Sequence, residues 1–167
     1  VVLVVDVGGG TTDFSAIEVV EREGALELRR IAVGDHILLG GDNMDLALAH
    51  YLKQQLEANG PALDRWQMQS LVHAARQAKE SLLSSNAFSS IPVAVAGRGS
   101  QLLGSTRRTE LLRDDLERLL VDGFFPIVPM SVHPAARPRT ALQQLGLPYA
   151  SDPAITKHLA AFLTKQA

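Results

Sequence analysis

Apolar residues occupy Val1 to Val5 without a break, four of them β-branched. That is the pattern of a strand covered on both faces. The run stops at Asp6, where Gly8, Gly9, Gly10, Thr11, Thr12 and Asp13 supply a turn. Phe14, Ala16 and Ile17 to Val20 then read as a second strand, with β-branched residues and partial alternation. Glu23-Gly24 marks the next turn and Ala25 to Val33 a third strand. The period changes after that. Met44, Leu48, Tyr51, Leu52 and Leu56 recur at helical spacing from Gly40-Gly41-Asp42, and Gly60-Pro61 stops the helix. Asp42 is its expected N-cap, and Asp45 adds favourable charge in the first turn.

A second helix is predicted from about Asp64 to Ser84, with Met68, Leu71, Val72, Ala75, Ala78 and Leu82 on its apolar face. Ser89 to Ala96 and Ser100 to Ser105 read as two strands about Gly97-Arg98-Gly99, and Pro92 puts the first at an edge or makes it begin late. Thr109 is the expected cap of a helix through Val121, with Leu112, Leu116, Leu119 and Leu120 inward. Pro126, Pro129, Pro134, Pro138, Pro148 and Pro153 follow, and regular structure does not persist easily across them. Short helices fit only Ala141 to Leu145 and Ala154 to Leu163.

The glycine turn is where chemistry enters. Rossmann and Walker loops run from a strand into a helix, and this one runs into a strand, with no Gly-Lys-Ser/Thr ending. It is therefore the tip of a β-hairpin. Glycines there permit positive φ and let backbone N–H groups reach a ligand without side chains in the way. The plainer reading is a tight hairpin with Asp13 bonded to its turn, but a two-residue turn seldom needs three glycines.

Charge and composition narrow the partners. A formal net charge of -2 gives no electrostatic reason to expect nucleic acid or an anionic membrane. With no cysteine, disulfides, thiolate metal sites and cysteine nucleophiles are excluded. The histidines, at 36, 50, 73, 133 and 158, lack metal-ligand spacing. No apolar run is long enough for a membrane span or signal peptide, which points to the cytoplasm. The chain opens inside a strand without Met, as a piece of a longer protein would.

Asp6-Val-Gly-Gly-Gly-Thr-Thr-Asp13 on a hairpin resembles the second phosphate loop of the actin, heat-shock and sugar-kinase ATPase superfamily. Gly34-Asp35-His36, followed by Leu39-Gly-Gly-Asp-Asn-Met-Asp45, is similar to a stretch of the DnaK-type seventy-kilodalton heat-shock chaperones. The two motifs in order point to a divergent member of that family. The resemblance implies an α/β fold: an actin-like (ribonuclease H-like) ATPase lobe with a mixed sheet, over 1–40 and 119–167. It implies an inserted α+β nucleotide-capping lobe over 41–118. The implied cofactors are ATP or ADP with Mg2+. Amides of Gly8, Gly9, Gly10 and Thr11 would bond the β- and γ-phosphates, and the Thr11 hydroxyl would sit beside the γ-phosphate. Asp6 and Asp13 would hold the magnesium hydration shell or position the attacking water. Thr12, Gly41 and Asp42 complete the implied nucleotide site, although capping alone accounts for Asp42.

In the capping lobe, the family's adenosine-contact positions fall on Arg76, Lys79, Glu80 and Leu83, and only Lys79 matches. Arg76 and Glu80 also read as an ordinary exposed i,i+4 pair. Thr106-Arg107 resembles the family's step out of that lobe. The stretch 122–167 does not match the family's usual pattern, and the superfamily's first phosphate loop and adenosine loop are not in this sequence. The implied whole is a slow ATPase whose partners are a peptide-binding or other C-terminal domain and co-chaperones, with no nucleic acid and no membrane. The fragment alone is expected to be inactive. An actin-like filament or cell-division ATPase is the alternative, as is a degenerate, non-hydrolysing interaction module; a sugar kinase fits less well.

Overall fold

The computed structural model describes residues 1–58, 60–97, 106–135 and 150–166. These form two compact units, one of 1–42 with 123–167 and one of 43–122. In the first unit, β1 (Val2–Val7), β2 (Thr12–Arg22) and β3 (Ala25–Val33) make an antiparallel sheet in the order β1-β2-β3. Glu23 (φ 51°) and Gly24 (φ 79°) both take the left-handed conformation between β2 and β3. Such a turn matches the twist of the flanking strands. A bulge at Ala16/Ile17 shifts the register, so that Ser15 faces Val33 while Glu18 faces Arg29. Arg29 Nε donates to Glu18 Oε2 across that pair at 2.9 Å.

β1 departs from the sequence reading. Its residues are exposed along its whole length, as are Leu26, Leu28 and Ile31 of β3. Among the described residues β1 is hydrogen-bonded to β2 alone, and its apolar side chains stay between 37% and 49% exposed.

The second unit begins within α1 (Gly41–Ala58), which buries Met44, Leu48, Ala49, Leu52 and Leu56. Because α1 starts at Gly41, Asp42 lies in its first turn and is not the N-cap. Asp45 is one turn further in and buried. α2 (Arg65–Ser84) starts on a capping box. Asp64 Oδ1 accepts from the Gln67 amide at 2.8 Å, and Gln67 Oε1 accepts from the Asp64 amide at 3.1 Å. Leu71, Ala75, Ala78 and Leu82 are its buried face.

α2 packs on a two-stranded sheet of β4 (Ser90–Val95) and β5 (Arg107–Leu112), then α3 (Arg113–Phe124) follows. The predicted strand 100–105 falls outside the described residues, and the partner of β4 is β5. Thr109 therefore lies in a strand opposite Val93 and does not cap a helix; its hydroxyl donates to Gln55 Oε1 at 2.6 Å. Leu112 is exposed at the end of β5, whereas Leu116 and Leu120 are buried as expected. Residues 107–112 hold a single β-branched residue, Thr109, so their strand comes from pairing with β4.

Arginines finish both long helices. Arg107 donates to the Leu56 and Pro61 carbonyls at the end of α1. Arg113 donates to the carbonyls of Leu82 (2.7 Å), Ser85 (2.6 Å) and Phe88 (2.9 Å) at the end of α2. A guanidinium there satisfies orphan carbonyls and complements the helix dipole. Arg113→Ala is expected to destabilise this unit by about 2–3 kcal/mol, since bonds from a charged donor are lost from partly buried acceptors. Arg113→Lys should recover only part, because an ammonium cannot fork between acceptors. Denaturant unfolding followed by Trp66, on α2, measures both.

The first unit closes with α4 (Ile155–Thr164), which packs on β2. Phe162 meets Phe14 with ring centroids 5.8 Å apart. The predicted helix at 141–145 lies outside the described residues. Ahead of α4, buried Asp152 accepts from the Ala135 amide (2.9 Å), the Ala154 amide (3.0 Å) and Lys157 Nζ (2.9 Å). Burial pushes its carboxyl up, but those three donors outweigh it and hold the group below the usual aspartate range. A depressed folded value means the ionised form stabilises the fold above the ordinary aspartate range. That contribution drains away as pH falls through the folded value. Stability of the first unit should therefore drop below about pH 4, and Asp152→Asn should flatten that limb in a thermal-melt series against pH.

Candidate functional site

The β1–β2 hairpin tip runs from Gly8 to Thr11, closed by the Gly8 amide donating to the Thr11 carbonyl at 2.8 Å. None of its glycines takes the positive φ that the sequence allows for, because among the described glycines only Gly24 does. A Cβ on Gly8, Gly9 or Gly10 would meet no protein atom closer than 3.4 Å. The protein's own packing thus gives little reason for three glycines. Nor do the amides of Gly9, Gly10 and Thr11 meet a protein acceptor among the described backbone bonds.

The loop is held from behind. Gly41 N–H donates to the Gly8 carbonyl at 3.0 Å and Asp42 N–H to the Gly9 carbonyl at 2.7 Å, so the start of α1 grips the tip. Gly40 makes this possible: a Cβ there would lie 2.5 Å from the Gly8 oxygen and 2.7 Å from the Gly9 oxygen. Gly41 and Asp42 accordingly spend their amides on the loop. The Asp42 carboxylate lies on the exposed side, about 4 Å from where Cβ atoms of Gly9 and Gly10 would be.

Strand alternation sorts the hairpin side chains into two sets. Thr12 and Phe14 point into the core; the Thr12 hydroxyl is buried and donates to the Leu39 carbonyl at 2.8 Å. Thr12 also pairs by its backbone with Ile37 in both directions. Asp13 points the other way and faces Asp6 directly across the ladder. Directly opposed side chains have Cβ atoms about 4.5–5.5 Å apart, where like charges repel. Asp6 is exposed and forms no ion pair among the described residues.

His36 Nδ1 donates to Asp13 Oδ1 at 2.8 Å, a partner the sequence reading did not pick out. The signal lay in register: Ile37 bridges Thr12, so their neighbours His36 and Asp13 meet. In the second unit, Lys79 Nζ lies 2.5 Å from buried Asp45 Oδ1, and the lysine side chain is only 12% exposed. Asp45 thus compensates a lysine charge and is not a first-turn dipole partner. Arg76 Nε lies between Asp45 (3.8 Å) and Glu80 (3.2 Å), and Leu83 is exposed.

The Hsp70 protein family matches residues 1–131. The chain belongs to the Hsp70 family. Its mixed α/β architecture agrees with the actin-like ATPase fold of the Hsp70 domain. It is 36% identical over 142 residues to proteins named chaperone protein HscA homolog in two strains of Acidithiobacillus ferrooxidans. The alignment takes in 85% of this chain and 20% of each relative, so the chain spans about a fifth of their length. Family membership accounts for the order of hairpin, third strand, Gly-Asp step and Gly-Gly helix start. The family model itself ends at residue 131, ahead of His133 and α4. Among the described residues no helix is long and apolar enough to cross a membrane, and no cluster of His, Asp and Glu could hold a metal by itself.

Proposed function

We propose that the chain is part of the nucleotide-binding domain of an Hsp70-type chaperone, and that the Asp6–Asp13 hairpin holds the phosphates of ATP or ADP with Mg2+. One observation carries this reading. Three glycines that the protein's packing does not require lie beside three amides that take no protein acceptor among the described backbone bonds, with Asp6 and the His36-bonded Asp13 facing each other across the ladder. An anion accounts for the amides and the missing side chains, and a hydrated cation for the carboxylates.

The roles differ in detail from the family expectation. Phosphate contact falls to the amides of Gly9, Gly10 and Thr11 and to the Thr11 hydroxyl, since the Gly8 amide closes the turn. Thr12, Gly41 and Asp42 brace the loop, their donors being used on Leu39, Gly8 and Gly9. Asp6 and Asp13 hold the magnesium waters, and Asp13, oriented by His36, positions the attacking water. When bound, Mg2+ neutralises charge on the transferring phosphoryl group. On the base side Lys79 acts through its pair with Asp45, and the Arg76–Glu80 pair is what remains exposed.

By this reading the unit of 1–42 and 123–167 is the phosphate lobe and that of 43–122 the capping lobe. The whole protein hydrolyses ATP slowly and signals by lobe rotation to a peptide-binding or other C-terminal domain and to co-chaperones. It works in the cytoplasm, with no nucleic-acid or membrane partner. The test is amide NMR of the labelled chain with millimolar Mg·ADP. Shifts should centre on Gly9, Gly10 and Thr11, shrink without magnesium, and vanish in Gly10→Val. Shifts that leave this tip untouched would end the assignment. The changed residues at Arg76, Glu80 and Leu83 support a second reading, a non-hydrolysing interaction module. Calorimetry of the full-length protein with Mg·ATP separates the two, because absence of heat at millimolar nucleotide favours the second.

A further inference from the structure

Behind the hairpin lies a cavity of about 310 Å³ that the phosphate site does not use. Phe14, Phe162 and Ile37 give it an apolar lining, and His133, His158 and Lys165 also line it. Phe14 follows Asp13 in β2, so the two point to opposite faces of the sheet and the cavity is distinct from the carboxylate pair. The Hsp70 family model ends at residue 131, ahead of His133, His158, Phe162 and Lys165.

Two hydrogen bonds define its polarity. His158 Nε2 lies 3.0 Å from the Asp152 carbonyl and His133 Nδ1 lies 3.1 Å from the Ser131 carbonyl. A carbonyl only accepts, so each of those nitrogens carries the proton. In the neutral ring the other nitrogen, His158 Nδ1 or His133 Nε2, is then an acceptor. The lysine charge is already offset, since Lys165 Nζ lies 3.5 Å from Asp35. The cavity thus combines aromatic walls with two imidazole acceptors and no uncompensated cation.

We infer that this cavity is a binding site for a small planar aromatic molecule carrying hydroxyl or amino hydrogen-bond donors. Its volume is roughly twice the 150 Å³ of an engineered apolar cavity that takes one benzene ring, which suits a two-ring compound. Ring packing against Phe14 and Phe162 supplies contact area, and donors on the ligand satisfy the imidazoles.

Isothermal titration of the full chain with 2-naphthol should give saturable binding, with a dissociation constant of roughly 0.1–1 mM. The matched anion 2-naphthoate, which at neutral pH has only acceptors, should bind about tenfold more weakly or not at all. His133→Phe keeps a ring and removes an acceptor, and should weaken 2-naphthol about three- to tenfold. Ala161→Leu fills the cavity from α4 without touching either histidine, and should abolish binding. Equal or tighter binding of 2-naphthoate would overturn the donor assignment. Undiminished 2-naphthol binding in the leucine variant, or no saturable heat in the parent chain, would overturn the site.

Discussion

Gly40→Ala is expected to lower the stability of the first unit by about 2–3 kcal/mol, as overpacking against rigid neighbours does. For a chain of this size that is roughly 5–10 °C in a thermal melt. The added carbon would lie 2.5 Å from the Gly8 carbonyl oxygen and 2.7 Å from that of Gly9. Those atoms are backbone, and they accept the Gly41 and Asp42 amides, so neither side can yield cheaply. The loop should move away from the start of α1, and nucleotide-induced shifts at Gly9 to Thr11 should weaken together with stability. Gly41→Ala is the control. Its Cβ would find ordinary contacts at 3.8 Å, and alanine is the better helix former by about 0.5–1 kcal/mol. It should melt at or above the parent temperature. A Gly40→Ala variant that behaved like Gly41→Ala would show that the loop does not rest on that backbone.

Asp6→Asn should act in opposite directions with and without magnesium. In a magnesium-free buffer the substitution removes a like-charge repulsion from the Asp6–Asp13 ladder pair, and the hairpin should gain up to about 1 kcal/mol. With Mg·ADP present, the magnesium-dependent part of nucleotide affinity should fall about tenfold or more, because half the carboxylate charge that holds the hydrated ion is gone. Asp13→Asn should share the second effect and additionally release His36, whose ring nitrogen donates to Asp13 Oδ1. Melts of parent and variants in magnesium and in chelator, with and without ADP, read both signs. A parent that gains nothing from magnesium with nucleotide, or an Asp6→Asn variant that gains as much, would remove the carboxylate pair from the site.

The comparison of β1 with β5 shows how far local pattern carries. For β1 the pattern predicts a strand, and a strand forms, but the cover that Val2 to Val7 call for is not among the described residues. For β5 the pattern misleads, because Thr109 before an apolar helical run looks like a cap. Pairing with β4 instead stabilises the extended form, and Arg113 starts the helix four residues later.

The sequence by itself determined the three-stranded meander, the Glu23-Gly24 turn, α1 and α2, and the hairpin position of the glycines. These depend on neighbours within a few positions, through side-chain period, turn conformation and cap chemistry. Only the tertiary structure decided which donors were left over. Thr12, Gly41 and Asp42 spend theirs on partners fixed by packing and Gly8 closes its own turn, which leaves Gly9, Gly10 and Thr11 without a protein acceptor among the described backbone bonds. It likewise joined His36 to Asp13 and Lys79 to Asp45, pairs separated by 23 and 34 residues in the chain. Hydrogen bonds and ion pairs at that separation depend on where the strands and helices meet in space, and no short window of sequence contains that information.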